Sequence, residues 1–451
     1  MPNTAKKLSL LALAWPIFIE QLLHLSTGFA DTLMVSHISD GAVAALGMSG
    51  HLVMICIIIF GVVGIGCSVV ITHHLGAQDR VGADGIARTS MGAITWLGLI
   101  ASVLVCALAQ PILNLVQLSP ALQVYGLPFL RIIGATLFLE AMIAGSSAIL
   151  RAHGFTREPM LVVLGQNLLN VTGNCILLFG LLGAPKMGVE GVAMSTVFSR
   201  LVACAVLWVL LKKRIGISII WRDFVQLPRE RMRRILQIGL PSAGEPLCWM
   251  LAFMTLTAFT SRMGDVQLAT QTYAMQLVWI MVVSSMAIGA ASEIMVGHMI
   301  GAGDFELAYR QLLRNLRVGL ALNFAVTLSV VGLSPWILSL FSQDAAVVAG
   351  AVLLLRVGLV MEPGRVFNIV LINGLRAAGD ARYPVLIGMA SMWTLMVGGS
   401  WLLGTYCGLG LVGVWLAMTA DEWLRGLLML RRWRQRRWLP FAQATHAKVK
   451  Q

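Results

Sequence analysis

Several side chains in this sequence are of a type, and at a spacing, suited to carrying ions or small molecules through an apolar medium. Asp31 follows Pro16 by fifteen residues inside one long apolar stretch. Proline removes a backbone hydrogen bond and invites a kink. A carboxyl group at membrane depth is costly and functional by default. Such a group can exchange a proton or hold Na⁺; the alternative is a helix-end carboxylate wetted by the outer interface. Asn167, Asn170 and Asn174 recur at i, i+3 and i+7, one face of a helix. Their amide oxygens can ligate a hard cation or bind substrate, or the amides can tie neighbouring helices together. Glu20 and Glu245 each stand four residues after a proline. Carbonyls freed by the kink, beside a carboxylate, suit a cation; the alternative is that each carboxylate pairs with an arginine. Glu362-Pro363-Gly364-Arg365 interrupts another apolar stretch. Glu362 and Arg365 can pair across one turn, or mark a hinge or a substrate contact. Glu140, Glu293, Asp421 and Glu422 are further carboxylates in apolar surroundings.

No enzyme chemistry stands beside these groups. The sequence has no Walker A motif, no G-x-S-x-G elbow and no H-E-x-x-H. His73-His74 and His298 read as structural. The seven cysteines are odd in number, form no C-x-x-C and lie in apolar runs, which favours packing over disulfides or a metal site. No cofactor is implied, and no metal beyond a coupling Na⁺. Without an ATP-binding motif, energy must come from an ion gradient unless a separate subunit supplies it.

The elements that must position these residues follow from composition. Of 451 residues, 58% are hydrophobic and only 12% charged, where soluble domains carry about 25% charged. Mean hydropathy is +0.83. No single globular core hides so much apolar surface, so the apolar residues face lipid. A helical span needs about 20 mostly apolar residues. Twelve candidates satisfy this, at about 9–34, 44–74, 90–112, 124–150, 158–183, 188–211, 233–260, 267–299, 312–335, 345–374, 383–406 and 409–431. The first follows Lys6 and Lys7 but holds Pro16, Glu20, His24 and Asp31, so it reads as a retained span and not as a signal peptide. Net charge is +13. The basic residues collect in alternate loops and at both ends, 26 of the 33, against only Lys186 and Arg262 in the opposite loops. This bias predicts an even number of spans with both termini cytoplasmic and excludes nucleic acid as the partner. Arg131, Arg200, Arg356 and Arg425 fall near span ends and are expected to snorkel to headgroups.

The basic stretch 212–232 divides the chain into halves, 1–211 and 233–435, leaving a basic tail, 436–451. Shifting the first half by 225 residues lays Pro16 on Pro241, Glu20 on Glu245, His73 on His298 and Gly76-Ala77 on Gly301-Ala302. Leu150-Arg151-Ala152 falls on Leu375-Arg376-Ala377, and Arg200 on Arg425. Matched Pro, Glu and Arg at one fixed offset identify an internal repeat. Six spans per half is even, so the repeat is parallel, a transporter architecture with alternating access. Glu140 falls on Arg365, which raises an ion pair between the halves as a gating hypothesis.

With these residues in view, the chain resembles the multidrug and toxic compound extrusion (MATE) family of cation-coupled antiporters. The resemblance covers nearly all of 5–435. It rests on twelve spans in two like halves, on Trp15-Pro16 with Asp31, and on Leu75-Gly76-Ala77-Gln78-Asp79 with Ile300-Gly301-Ala302-Gly303-Asp304. It rests also on Leu150-Arg151-Ala152-His153-Gly154 and Leu375-Arg376-Ala377-Ala378-Gly379-Asp380. It implies an all-α integral membrane fold, a V-shaped pair of six-helix lobes, a monomer, and export in exchange for H⁺ or Na⁺. In the branch whose cation site lies in the N-terminal lobe, span 1 supplies an Asp placed like Asp31. Span 5 supplies an Asn and, four residues on, an Asp; here those positions are Asn170 and Asn174, so the second carboxylate is missing. Thr196 matches that branch's span-6 hydroxyl. In another branch acidic residues of spans 7 and 10 matter, and Glu245 and Glu362 are broad analogues.

The expectation is a bacterial inner-membrane exporter of hydrophobic, often cationic organic compounds. Cation coupling is expected at Asp31, Asn170, Asn174, Thr196 and Glu245, and substrate or gating roles at Glu20, Glu140, Asn167, Glu362 and Arg365. The alternatives are an anionic cargo such as a flavin partnered by Arg365, a flippase for a lipid-linked precursor, and a non-transporting scaffold.

Overall fold

A computed structural model describes residues 8–115 and 118–450; Lys6 and Lys7 lie outside the described residues. Fifteen α-helices follow in order: α1 (Leu10–Ser36), α2 (Asp40–Gly76), α3 (Arg80–Leu115), α4 (Pro120–Ala135), α5 (Leu137–Ala152), α6 (Arg157–Phe179), α7 (Gly188–Leu210), α8 (Trp221–Val225), α9 (Arg229–Ser261), α10 (Asp265–Ala302), α11 (Phe305–Phe341), α12 (Ala345–Ala377), α13 (Arg382–Ser391), α14 (Gly410–Arg434) and α15 (Leu439–Lys450). Among the described residues there is no strand. Among the described residues, nine helical segments are long and apolar enough to cross a membrane, and α4 with α5, bent by 48°, makes a tenth. Helices α9 and α14 fill the places of the seventh and twelfth spans but carry more charge. The first opens on four arginines; the second holds Asp421, Glu422 and Arg425. The architecture is an all-α integral membrane protein of twelve spanning segments.

The chain folds as two compact units. Among the described residues, one comprises those of 19–71 and 80–240, the other those of 8–18, 72–79 and 241–450. Helix α1 divides just after Pro16, and α9 divides at Pro241, so two of the unit boundaries fall at or beside the repeated prolines.

In the first unit, α2 and α9 cross without side chains between them. A Cβ on Gly66 would stand 2.2 Å from the Ile235 carbonyl oxygen, and one on Gly239 would stand 1.8 Å from that of Val62. Short α8 seats on α3 in the same way. Gly92 makes room for the Asp223 carbonyl, and the Trp96 indole N–H donates to Phe224 O at 2.7 Å. Val35, Ala42, Leu178, Val189 and Val192 close the core around the end of α1.

In the second unit, the end of α2 meets the end of α10 by the same device, doubled. A Cβ on Gly76 would stand 2.0 Å from His298 O, and one on Gly301 would stand 2.0 Å from His73 O. These residues are repeat mates. The His73 Nε2–H donates to Ala377 O at 2.6 Å, so it is buried and structural. The tail beyond 436 forms α15, whose Ala442 joins Trp433 and Trp438 in the core beside α10, α11 and α12. Helix α13 continues through π-helical turns, Met392–Gly398 and Trp401–Tyr406.

Candidate functional site

Two polar clusters, one in each unit, hold most of the expected site residues. In the first, α1, α6 and α7 converge on Asp31. Gly173 lets α6 and α7 touch: a Cβ there would lie 2.3 Å from Ser195 Oγ. That approach aligns a chain of polar groups. Asn174 Nδ2 donates to Asp31 Oδ1 at 2.6 Å and lies 3.4 Å from Asn170 Oδ1. Asn170 Nδ2 donates to Thr196 Oγ1 at 3.1 Å, and Ser195 Oγ donates to the Asn170 carbonyl at 2.8 Å. Both asparagines are buried, whereas Asp31 keeps partial exposure. The Asn174 carbonyl oxygen is buried with no hydrogen-bond partner among the described residues. A carboxylate, two amides and a hydroxyl thus present an oxygen-rich site with one acceptor unused. Such a set can take up a proton or a hard cation.

The other expected residues of this unit stand apart from that chain. Asn167 Nδ2 donates to Leu23 O at 2.7 Å, the interhelical tie that was the alternative reading. Glu20 pairs with Arg151 at 2.7 Å, while its second carboxylate oxygen is buried without a hydrogen-bond partner among the described residues. Glu140 lies 3.0 Å from Arg200.

The second cluster is denser. Arg365 contacts Glu362 and reaches Glu422 at 3.1 Å. Arg425 reaches Asp421 at 2.8 Å, and Glu422 and Glu245 each at 3.3 Å. Asn368 Nδ2 donates to Glu422 Oε2 at 2.8 Å, and Ser391 donates to Asp421. Four carboxylates therefore face two arginines, an excess of two negative charges if all are ionised. Two acceptors here, Glu362 Oε2 and Asn368 Oδ1, are buried without hydrogen-bond partners among the described residues. The i, i+3 pairing of Glu362 with Arg365 is present, with Glu422 as a second partner. Arg365 and Glu140 each find their partners within their own unit.

Two sequence expectations need correction. Arg200 and Arg425 do not snorkel: they are 9% and 2% exposed and ion-paired inside the protein. A guanidinium withdrawn from water needs carboxylates around it, and helix rotation supplies them here. Asn368, Ser391, Asp421, Glu422 and Arg425 are members of this cluster that the sequence reading did not assign to the site. The signal available was Asp421-Glu422 with Arg425 one turn on, a charged face on an otherwise apolar helix.

The MatE family model matches residues 16–176 and again 241–402, together well over half of the chain. The chain belongs to this family. The two matches begin 225 residues apart, the offset of the internal repeat. Over 434 residues, 96% of this chain and 95% of the relative, it is 38% identical to the uncharacterized transporter YisQ of Bacillus subtilis. It is 26% identical to the probable multidrug resistance protein NorM of Thermotoga maritima, over all of this chain and 97% of that one. Among solved structures, a MATE protein crystallised with MaD5 superposes with a TM-score of 0.87 at 22% identity, covering 98% of this chain and 99% of that one. This MatE-family chain is accordingly a multi-pass membrane transporter and not an enzyme.

Proposed function

We propose that this transporter is a secondary active exporter that exchanges H⁺ or Na⁺ for hydrophobic, often cationic organic compounds. It works as a monomer in the bacterial inner membrane, with both termini cytoplasmic. Relatives described as probable multidrug resistance proteins support the cargo class. The observation that carries the coupling is the hydrogen bond from Asn174 to Asp31 beside an unused buried amide oxygen. In this reading, ionised Asp31 favours the state that binds substrate. A proton entering from outside adds to Asp31, or Na⁺ is ligated by Asp31, Asn174, Asn170 and Thr196, and either event weakens substrate binding. Linkage then requires drug and coupling ion to lower each other's affinity by the same factor.

The acid excess around Glu245, Glu362, Asp421 and Glu422 supports a second place where a coupling ion can act. It also weighs against an anionic cargo. Arg365, the group that would receive such a cargo, already spans Glu362 and Glu422.

The test is dye-cation flux in proteoliposomes under a pH gradient or a Na⁺ gradient imposed separately, with wild type and Asp31→Asn. Flux driven by one gradient and lost in the variant is the expected result. Flux that is indifferent to both gradients, or intact in the variant, would remove Asp31 from the coupling.

A further inference from the structure

Helix α11 has 37 residues, a length of about 55 Å against a hydrocarbon layer of about 30 Å. Its last charged residue is Arg317, and 318–337 then supplies about 20 uncharged residues, enough to cross that layer. The turns up to Arg317 therefore stand at headgroup depth or outside it. Glu306 is the one acid in the helix, whereas Arg310, Arg314 and Arg317 are all exposed. Spacings of four and three residues put the arginines on one face. The same face runs on through Ala321, Phe324 and Leu328, which are exposed too. All six side chains leave the helix within about 40° of one line. The opposite face, with Leu312 and Leu316, is sealed in the core.

The charged end of this stripe is held in place and keeps an excess of positive charge. Glu306 accepts from Arg310 at 2.9 Å through one oxygen and from Arg436 at 2.6 Å through the other. Arg436, in the left-handed region at φ 57° where the chain turns from α14 into α15, also lies over the Tyr309 ring at 4.9 Å. One carboxylate thus serves two guanidinium groups. Arg314 and Arg317 make no ion pair among the described residues. A guanidinium fork matches a phosphate through two parallel hydrogen bonds. A soluble phosphate would use the arginines alone. The apolar run that continues their face fits a ligand with a phosphate at one end and a hydrocarbon chain below it.

We propose that Arg310, Arg314 and Arg317 form a docking surface for an anionic phospholipid, whose acyl chain lies along Ala321, Phe324 and Leu328. The headgroup phosphate sits on the unpaired Arg314 and Arg317, and the small Ala321 leaves the passage from headgroup to chain open. The site is independent of the cargo and of the coupling ion proposed above.

The experiment is fluorescence anisotropy of chain-labelled phosphatidylglycerol titrated with purified full-length protein in non-ionic detergent. Chain-labelled phosphatidylcholine is the zwitterionic control, and it should bind more weakly. Arg314→Gln with Arg317→Gln should weaken phosphatidylglycerol by about tenfold or more, the loss of two arginines facing an anionic lipid. Lys212→Gln with Lys213→Gln removes the same charge from another exposed basic stretch and should change it by less than about twofold. Ala321→Trp should weaken it several-fold with every charge in place, and excess glycerol phosphate should not displace it. Equal losses in the two double variants, or equal binding of the two lipids, would reduce the surface to unspecific charge and overturn the site. Displacement by glycerol phosphate, or full binding by Ala321→Trp, would make the ligand a soluble anion and overturn the lipid.

Discussion

The Asn174 amide donates to the Asp31 carboxylate over 2.6 Å from an adjacent helix, and its own carbonyl oxygen has no hydrogen-bond partner among the described residues. Ionised Asp31 needs the amide nitrogen; protonated Asp31 would need the amide oxygen, because a neutral carboxylic acid can donate. Rotating one buried side chain therefore registers the protonation state of another. The repeat sharpens the point: the mates of Asp31, Asn170 and Asn174 at the 225-residue offset are Leu256, Leu395 and Gly399, while Thr196 falls on Asp421, so the carboxylate and the amides of this chain belong to one half alone.

Replacing Asn174 by Asp should convert the site toward a cation binder. Two carboxylates at that spacing resist simultaneous ionisation and gain most from a shared cation. Flux measured against Na⁺ concentration should show half-saturation at a roughly tenfold lower concentration, within the usual span of a coupling free energy. An unchanged Na⁺ response would mean that Asn174 does not face the coupling ion.

Arg425 should be the most sensitive single arginine for stability. Its removal leaves Asp421, Glu422 and Glu245 without their shared cation, and breaking a buried pair on one side costs about 3–5 kcal/mol. Arg425→Ala should lower the unfolding midpoint in detergent more than Arg200→Ala, which leaves only Glu140 unpaired. A smaller effect at Arg425 would mean that the carboxylates there are largely protonated in the folded protein.

The frame was legible in the sequence because lipid imposes it. Span length follows from crossing a membrane, the 225-residue repeat returns as two family matches at that offset, and α9 and α14 were found although their charge obscures them. Asp31, Asn170, Asn174 and Thr196 could be grouped because α6 places the asparagines on one face and the family resemblance supplied the remaining partners. The cluster of Arg365 and Arg425 was not legible. Which carboxylate an intramembrane arginine meets depends on how α9, α12 and α14 rotate about their axes, and spacing along one helix does not encode that. Arg200 and Arg425 sit near span ends in sequence, which made headgroups the plausible partners until the fold turned them inward. The helical tail α15 was hidden for a similar reason, since its basic residues mask the small face carrying Ala442.

A pH effect on stability should trace to His153, which lies in the turn between α5 and α6. Burial holds its pKa below the ordinary 6.5, the Ile149 carbonyl and Asp84 oppose that shift, and Arg80 adds to it. The imidazole is thus neutral in the folded state at pH values where the unfolded chain is already protonating. The unfolded state binds more protons there, so stability is full above the unfolded value and falls as pH drops through it. His153→Gln should show a shallower loss of thermal midpoint between about pH 6.5 and 5 than wild type. Parallel curves would place the acid sensitivity elsewhere.

The paired glycines where α2 meets α10 give the strictest test of the packing. A Cβ at Gly76 or Gly301 would stand 2.0 Å from the carbonyl oxygen of the repeat mate's histidine, and backbone atoms cannot yield as a flexible side chain does. Overpacking usually costs about 1–3 kcal/mol, and here the helices must separate to accept one methyl group. Gly76→Ala and Gly301→Ala should each lower the unfolding midpoint. The double variant should cost less than the sum, because the first methyl has already opened the crossing for the second. Gly28→Ala is the control: nothing lies within 4 Å of its added methyl, so it should be neutral or stabilise slightly by relieving glycine's entropy cost in a helix. Additive losses at 76 and 301 would mean that the two methyls act on separate contacts and that the crossing does not move as one unit.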